Sequence, residues 1–235
     1  DSSIRFSNDR PEDGDLIQIQ ATVRNQGVAS AENVRVQFYD GPPSVLTPAW
    51  PVQTQGAVLS SPVYADVDGD RRLEIIIGSL DQNLYLLRSD GTRYPGWPVK
   101  LGGAVRSSPA VGDVDGDSEM EIVVGAGDGK VYAFNLDGSS VSGFPFFTGD
   151  EIISSPNLSD LTGDGVPEII VGSRSGVLYA LKGDGAILPG FPVAADSWID
   201  STPAVGDIDG DGMPDIVVGS HDQKIHAWKA DGNIV

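Results

Sequence analysis

Cysteine is absent from the chain, which excludes thiol catalysis, thiolate metal sites and disulfide staples. Basic residues are few. Fifteen Lys and Arg stand against 34 Asp and Glu, for a formal net charge of −19, and nowhere do they gather into the cluster that a phosphate backbone requires. Nucleic acid is therefore not expected as a partner. Histidine occurs only at His221 and His226, and no G-x-S-x-G or H-E-x-x-H pattern is present, so the chain reads as non-enzymatic. No run of 18 apolar residues suggests a membrane-spanning helix. The first residues, DSSIRFSNDR, have no apolar signal-peptide core. The missing disulfides do not fix the compartment, because a metal can staple the loops of a secreted protein instead.

What is abundant is glycine and acid. Thirty glycines and 16 prolines in 235 residues, with 40% hydrophobic residues, describe a turn-rich chain with enough apolar material for a core. DVDGDRRLE, Asp66 to Glu74, packs four carboxylates into nine residues. Two like charges about 4 Å apart repel by roughly 4 kcal/mol at an effective dielectric near 20, so such a segment is either solvated and flexible or holds a cation.

The nine-mer recurs as DVDGDSEME from Asp113, DLTGDGVPE from Asp160 and DIDGDGMPD from Asp207, each 47 residues after the last. SSP at Ser60, Ser107 and Ser154 and STP at Ser201 keep the same step, as do AWP, GWP, GFP and GFP from Ala49, Gly96, Gly143 and Gly190. Asp-Gly pairs at Asp90, Asp137, Asp184 and Asp231 follow in phase and read as hairpin turns. Within one unit, PAVGDV, EIVVGA, KVYAFNL and GFPFF are short apolar stretches between turns, which predicts four strands. Units of this size with four antiparallel strands are propeller blades that bury their faces only by stacking. The fold class expected is all-β, with four such blades over 43–235.

Residues 1–42 differ. Ile17, Ile19, Ala21 and Val23 alternate with polar residues, as do Val34, Val36 and Phe38, the pattern of strands with one buried face. The boundary is placed in DGPPSVLTPAW.

Oxygen ligands at positions one, three and five, a carbonyl at seven and a later carboxylate suit a hard cation, above all calcium. The first loop offers Asp66, Asp68, Asp70 and Glu74 with the Arg72 carbonyl. The second offers Asp113, Asp115, Asp117 and Glu121 with the Glu119 carbonyl, and the fourth Asp207, Asp209, Asp211 and Asp215 with the Met213 carbonyl. The third has Thr162 between Asp160 and Asp164, with Glu168 and the Val166 carbonyl, and is expected to bind more weakly. Glycine at position four (Gly69, Gly116, Gly163, Gly210) suits a turn with unusual backbone angles. An EF-hand is excluded, since its glycine stands at six, its last acid at twelve, and helices flank it. Acidic turns without metal are the competing reading, because Asp and Gly favour turns in any case. Acids kept at one, five and nine in every copy favour the cation.

SSPAVGDVDGDSEMEIVVGAGDGKVYAFNLDG resembles the FG-GAP or VCBS-type repeat, the blade also found in integrin alpha-subunit propellers and in many bacterial and archaeal surface proteins. The resemblance covers about 49 to 235. It implies a propeller with about one Ca2+ per repeat, up to four, in an extracellular or cell-surface protein that meets protein or carbohydrate partners. GDLIQIQATVRNQGVASAENVRVQFYDGPP resembles the bacterial cell-adhesion-related, immunoglobulin-like domain, at about half its length. The family's propellers usually close with seven or eight blades, whereas four copies stand here. DGNIV at the end and LTPAWPV before the first copy together restore a stretch like DGAILPGFPV. The ring can thus close with four blades, with a second chain, or with further repeats, and self-association is expected either through such ring completion or through the incomplete amino-terminal segment.

Tyr85, Tyr132, Tyr179 and His226 share one repeat position, and Trp50, Trp97, Phe144 and Phe191 another. Both sets are expected as inter-blade packing. Arg106, Asp150, Glu151, Trp198 and Asp200 break the repeat between blades, and are the candidate partner surface. The function expected is calcium-dependent adhesion, recognition or surface assembly. The alternative is a scaffold of a secreted polysaccharide-degrading enzyme such as a lyase, with a quinoprotein-like propeller as a third reading.

Overall fold

The structure, a computed structural model, describes residues 4–6, 19–21 and 49–235. The chain divides into two units, Asp1–Ser44 and Val45–Val235. In the first, β1 (Ile4–Phe6) pairs antiparallel with β2 (Ile19–Ala21), Arg5 opposite Gln20. Ile17, Val23, Val34, Val36 and Phe38 lie outside the described residues, as does most of the expected immunoglobulin-like segment.

The second unit is all-β. Blade one comprises β3 (Val63–Ala65), β4 (Glu74–Gly78), β5 (Asn83–Leu87) and β6 (Val99–Lys100). Blade two comprises β7 (Ala110–Gly112), β8 (Glu121–Gly125), β9 (Lys130–Phe134) and β10 (Phe146–Phe147). Blade three comprises β11 (Asn157–Ser159), β12 (Glu168–Gly172), β13 (Val177–Leu181) and β14 (Val193–Ala194). In each, consecutive strands pair antiparallel in chain order. The last unit departs from the expected four strands. It holds β15 (Ala204–Gly206), β16 (Asp215–Gly219) and β17 (Ile225–Lys229), with no fourth strand among the described residues.

In blades two and three the second and third strands are hydrophobic on both faces because each face meets another blade. Ile76, Leu84 and Leu86 of blade one pack on Ile122, Val124, Tyr132 and Phe134 of blade two. Val123, Val131 and Ala133 meet Ile169, Val171 and Leu181 of blade three, and Ile170, Leu178 and Ala180 meet Ile216, Val218 and Trp228 of blade four. Burying an aliphatic side chain of this size contributes about 1.5–3 kcal/mol, so the three interfaces carry the unit's stability.

Serines and aromatics fix the spacing between blades. The first serine of each SSP accepts the amide at the end of the second strand, as Ser60 Oγ does from Gly78 N at 2.9 Å. The second serine ties neighbouring blades: Ser61 N donates to Ser108 Oγ, and Ser108 N to Ser155 Oγ, both at 2.9 Å. Trp97 Nε1 donates to Leu136 O of the next blade at 2.8 Å. Trp97, Phe144 and Phe191 are buried, as expected. Trp50 is 43% exposed, a correction that follows from its place ahead of blade one, where no earlier blade stands among the described residues. It lies against Gly91 and donates to Ser89 O at 3.2 Å. Of the other set, Tyr85 and Tyr132 are buried while Tyr179 and His226 are half-buried.

Candidate functional site

Each acidic loop joins the first and second strands of a blade, and its backbone is shaped by its own carboxylates. Position one collects amides: Asp113 Oδ1 accepts from Gly116 N at 2.7 Å and Oδ2 from Ser118 N at 2.9 Å. Asp207 accepts likewise from Gly210 and Gly212, at 2.7 and 2.9 Å. Position five caps the amide of position seven, as Asp117 does for Glu119 at 2.8 Å and Asp70 for Arg72 at 2.7 Å. These are Asx turns, which aspartate forms without a metal. Glycine at position four has positive φ in all four loops, from 75° to 81°. Position six is also left-handed, with φ of 69° at Arg71, 75° at Ser118, 90° at Gly165 and 87° at Gly212, so its variable side chain sits on a fixed backbone.

The acid at position nine opens the second strand and is buried. One oxygen accepts the amide of position two, at 2.8 Å for Glu121 with Val114 and for Glu168 with Leu161, and 2.9 Å for Asp215 with Ile208. The sequence reading missed this structural use. The other oxygen is spare: Glu121 Oε1 and Asp215 Oδ1 are buried without a hydrogen-bond partner, and so is Asp66 Oδ1 in the first loop. Burial pushes the Glu121 carboxyl up to about 7, with the Val114 amide opposing and Asp115, Asp117 and Asp113 adding to the rise. Glu74 and Glu168 are raised as well, first by burial.

The oxygens converge. Asp66, Asp68 and Asp70, then Asp113, Asp115 and Glu121, and then Asp207, Asp209 and Asp215 each bring one carboxylate oxygen per residue within 4.8 Å of one another, and such groups can hold a metal ion. Unpartnered buried carboxylate oxygens cost several kcal/mol when ionised, and oxygen-only donors at this spacing suit a hard cation. Loop three supplies no such triad among the described residues. Its Thr162 hydroxyl lies 3.5 Å from both Asp160 Oδ1 and Glu168 Oε1. In loop four Lys229 Nζ already bridges Asp209 and Asp211. Arg72, Glu119, Val166 and Met213, named for their carbonyls, stand in each loop as residues whose amides are capped.

The residues that break the repeat also meet. Glu151 pairs with Arg106 and, at 2.8 Å, with Arg174. Arg174 forks onto Asp200 through Nε and Nη2, both at 3.1 Å. Its guanidinium lies 4.8 Å from the Trp198 ring centre, and His221 Nε2 is 3.1 Å from Asp200 Oδ2. Trp198 remains 46% exposed. Asp150 stands apart, its carboxylate accepting the Glu151 amide. Arg174 and His221 were not singled out in the sequence. Yet they occupy the place of Leu80 and Gly127, so the same break in the repeat marks them.

The sequence pattern of the FG-GAP-like repeat matches residues 66–124 and 160–218, together half of the chain. No curated protein matches. Among solved structures, the V. cholerae biofilm matrix protein Bap1 shares 27% identity over 74% of this chain and 27% of its own, with a TM-score of 0.55. BBS1N, crystallised in complex with ARL6DN, shares 17% identity over 77% of this chain and 53% of that one, with a TM-score of 0.56. BamB from Moraxella catarrhalis shares 17% over 76% and 48%, also at 0.56. The chain thus spans about half or less of these structures, and the last two likenesses concern the fold alone. No helix among the described residues is long and apolar enough to cross a membrane. With all four acidic loops inside the matched segments, this chain belongs to the FG-GAP-like repeat family.

Proposed function

We propose that this is an extracellular calcium-binding propeller module whose ions hold the opening hairpin of each blade, and whose Trp198–Arg174 face serves recognition or adhesion without catalysis. The observation that carries the calcium reading is the divided use of the acid at position nine. Glu121 and Asp215 each bind one oxygen to the backbone and leave the other buried and unpartnered beside further carboxylates. Asp66, Asp68, Asp70 and Glu74 would hold the first ion, Asp113, Asp115, Asp117 and Glu121 the second, and Asp207, Asp209, Asp211 and Asp215 the third. Loop three binds more weakly through Asp160, Asp164 and Glu168, because Thr162 brings a hydroxyl in place of a charge. A bound cation stabilises only the folded state and so adds to folding free energy.

The extracellular reading is supported by the likeness to a biofilm matrix protein and by a net charge of −19, which divalent cations at extracellular concentrations would partly neutralise. The recognition reading is supported by the exposed Trp198, held in place by the Arg174 fork. An aromatic anchor oriented by charged neighbours is suited to a sugar ring or an apolar side chain. Calorimetric titration with Ca2+ and thermal melting with and without chelator test the first part. Saturable binding and a melting point several degrees higher with calcium are expected, and identical melts overturn it. For the second part, a polysaccharide and extracellular-protein array is probed with the calcium-loaded chain and with Trp198→Ala.

A further inference from the structure

We infer that a cavity between blades one and two binds a primary ammonium on an alkyl stem, the group that a lysine side chain of a partner protein or a free polyamine presents. One repeat position, at or just past the end of the third strand, carries Arg88, Asn135, Lys182 and Lys229. Three blades thus bring a cation of their own to the acidic loop, and blade two brings an amide. Arg88 lies 4.9 Å from the centre of the Tyr94 ring, whose hydroxyl donates to Asp68 at 3.1 Å. Lys182 lines a cavity with Asp164, Glu168 and Asp184. Lys229 goes furthest and bridges Asp209 and Asp211.

Blade four therefore displays what these carboxylates do with an ammonium. Asp209 and Asp211 each give Oδ1 to a backbone amide, at 3.1 and 2.8 Å, and Oδ2 to Lys229 Nζ. Asp115 and Asp117 hold the same repeat positions in blade two. They too give Oδ1 to backbone amides, those of Asp117 and Glu119, at 3.3 and 2.8 Å, and their Oδ2 atoms make no hydrogen bond among the described residues. Asn135 is turned to its own hairpin, where Nδ2 donates to Ser139 Oγ at 2.9 Å. Glu121, fully buried with Oε1 unpartnered, offers an oxygen within 4.8 Å of one on Asp115. Loop two thus has the ammonium-holding arrangement of loop four without a lysine to use it.

The space around it fits a ligand. Asp115, Asp117, Glu119 and Asp137 line a cavity of about 690 Å³, with no basic residue among its described lining. The corresponding cavity of blade three, into which Lys182 is built, measures about 280 Å³. Only the first has the size usual for small-molecule sites, about 300–1,000 Å³. Pro95, Leu136 and Val141 complete its lining and supply apolar surface for a methylene stem, as lysine stems use elsewhere. Four carboxylates exclude an anionic ligand, and an ammonium is the compact point charge that two separate carboxylate oxygens can share.

The test titrates the full chain at low salt with cadaverine and with an acetylated, amidated Gly-Lys-Gly peptide, following the Asn135 side-chain amide and the Leu136 and Val141 methyl groups by NMR. Exposed ion pairs are individually weak, so dissociation constants on the order of 1–10 mM are expected, rising with ionic strength. The tighter of the two probes identifies the source of the ammonium. Tetramethylammonium, equal in charge but without N–H donors, should shift the same groups far less. Asn135→Lys supplies the cation from within the chain, at a position where two other blades already carry lysine. It should keep the circular dichroism spectrum, raise the metal-free melting point and weaken cadaverine binding about tenfold. Shifts as large with tetramethylammonium as with cadaverine, or unchanged by Asn135→Lys, overturn the proposal, because they would report only the general attraction of a chain of net charge −19 for cations. The titrations are run in chelator and repeated in millimolar Ca2+, where competition for Asp115 and Asp117 should weaken binding severalfold. No localised shift under either condition overturns the proposal as well. Binding in chelator does not depend on calcium, so this proposal and the calcium reading fail separately.

Discussion

The backbone amide of Ser108 donates to the hydroxyl of Ser155, one repeat further on, at 2.9 Å. The same bond runs from Ser61 N to Ser108 Oγ, so the second serine of SSP acts between blades, not within one. Removing a hydroxyl that satisfies a partly buried amide costs about 1 kcal/mol or more. Ser155→Ala should therefore lower the unfolding free energy by about 1–2 kcal/mol in denaturant melts. Ser61→Ala should change it by less than about 0.5 kcal/mol, because its hydroxyl makes no hydrogen bond among the described residues. Equal losses in both would remove the inter-blade role.

Gly143 marks a second contact between blades that admits no side chain. Its φ is +87°, and a Cβ there would lie 1.8 Å from the Asp184 carbonyl oxygen of the next blade. Neither backbone can yield without separating the two blades. Gly143→Ala should cost at least about 2 kcal/mol, the upper part of the range for strained backbone and overpacked sites. Gly149→Ala, at φ +97° but in open space, isolates the conformational share, and its cost should be clearly smaller.

The repeat itself was legible, because a 47-residue period in Asp66, Asp113, Asp160 and Asp207 can be seen without knowing what any residue touches. Strand positions followed from that period, and so did the left-handed glycines of the loops. Contacts between blades were not legible. The Ser108–Ser155 bond and the Arg174–Asp200 fork join residues far apart in sequence, and no local pattern reports a partner. Trp50 was misjudged for a related reason: its repeat position predicts burial, but burial also requires a preceding blade. The structural job of Glu121, tying down the Val114 amide, could not be separated in sequence from the ligand role proposed for it.

That double role gives a substitution whose two effects have opposite signs. Glu121→Gln retains an oxygen for the Val114 amide but removes a buried charge surrounded by Asp113, Asp115 and Asp117. Without metal at pH 8 the variant should melt higher than the unmodified chain, by a few degrees. With calcium it should lose most of the second loop's stabilisation. Thermal melts with chelator and with millimolar Ca2+ read both effects. A fall in stability under both conditions would make Glu121 a purely structural acceptor.

The same carboxyl sets a pH dependence. Its folded-state value of about 7 lies above the ordinary 4.5, so the folded state binds the proton more tightly than the unfolded one. The stability this provides is complete below about pH 4.5 and lost as pH rises through 7, to a limit on the order of 3 kcal/mol. In chelator, then, the melting point should rise as pH is lowered from 8 to about 5.5. Calcium competes with the proton for the same oxygens, so in millimolar Ca2+ the slope should flatten or reverse. A metal-free melting point that falls steadily over that window would contradict the burial of an ionisable Glu121.

Lys229 occupies the fourth loop in a way that no other loop repeats. Its ammonium bridges Asp209 and Asp211, and that bond, with the Met213 amide, holds the Asp211 carboxyl below its ordinary range. Arg88, Asn135 and Lys182 stand at the same repeat position, and none of them pairs with its loop's acids among the described residues. A divalent ion entering loop four must displace the ammonium or share its ligands. Partly exposed pairs of this kind are worth about 0.2–1 kcal/mol each, so Lys229→Met should tighten calcium binding there by about two- to fivefold. The comparison is made in a chain carrying Asp66→Asn and Asp113→Asn, which leaves loop four as the strongest donor set. In the absence of metal the same variant should be less stable, because the repulsion between Asp209 and Asp211 is then unopposed. Weaker calcium binding after the substitution would mean that Lys229 organises the loop for the ion instead of competing with it.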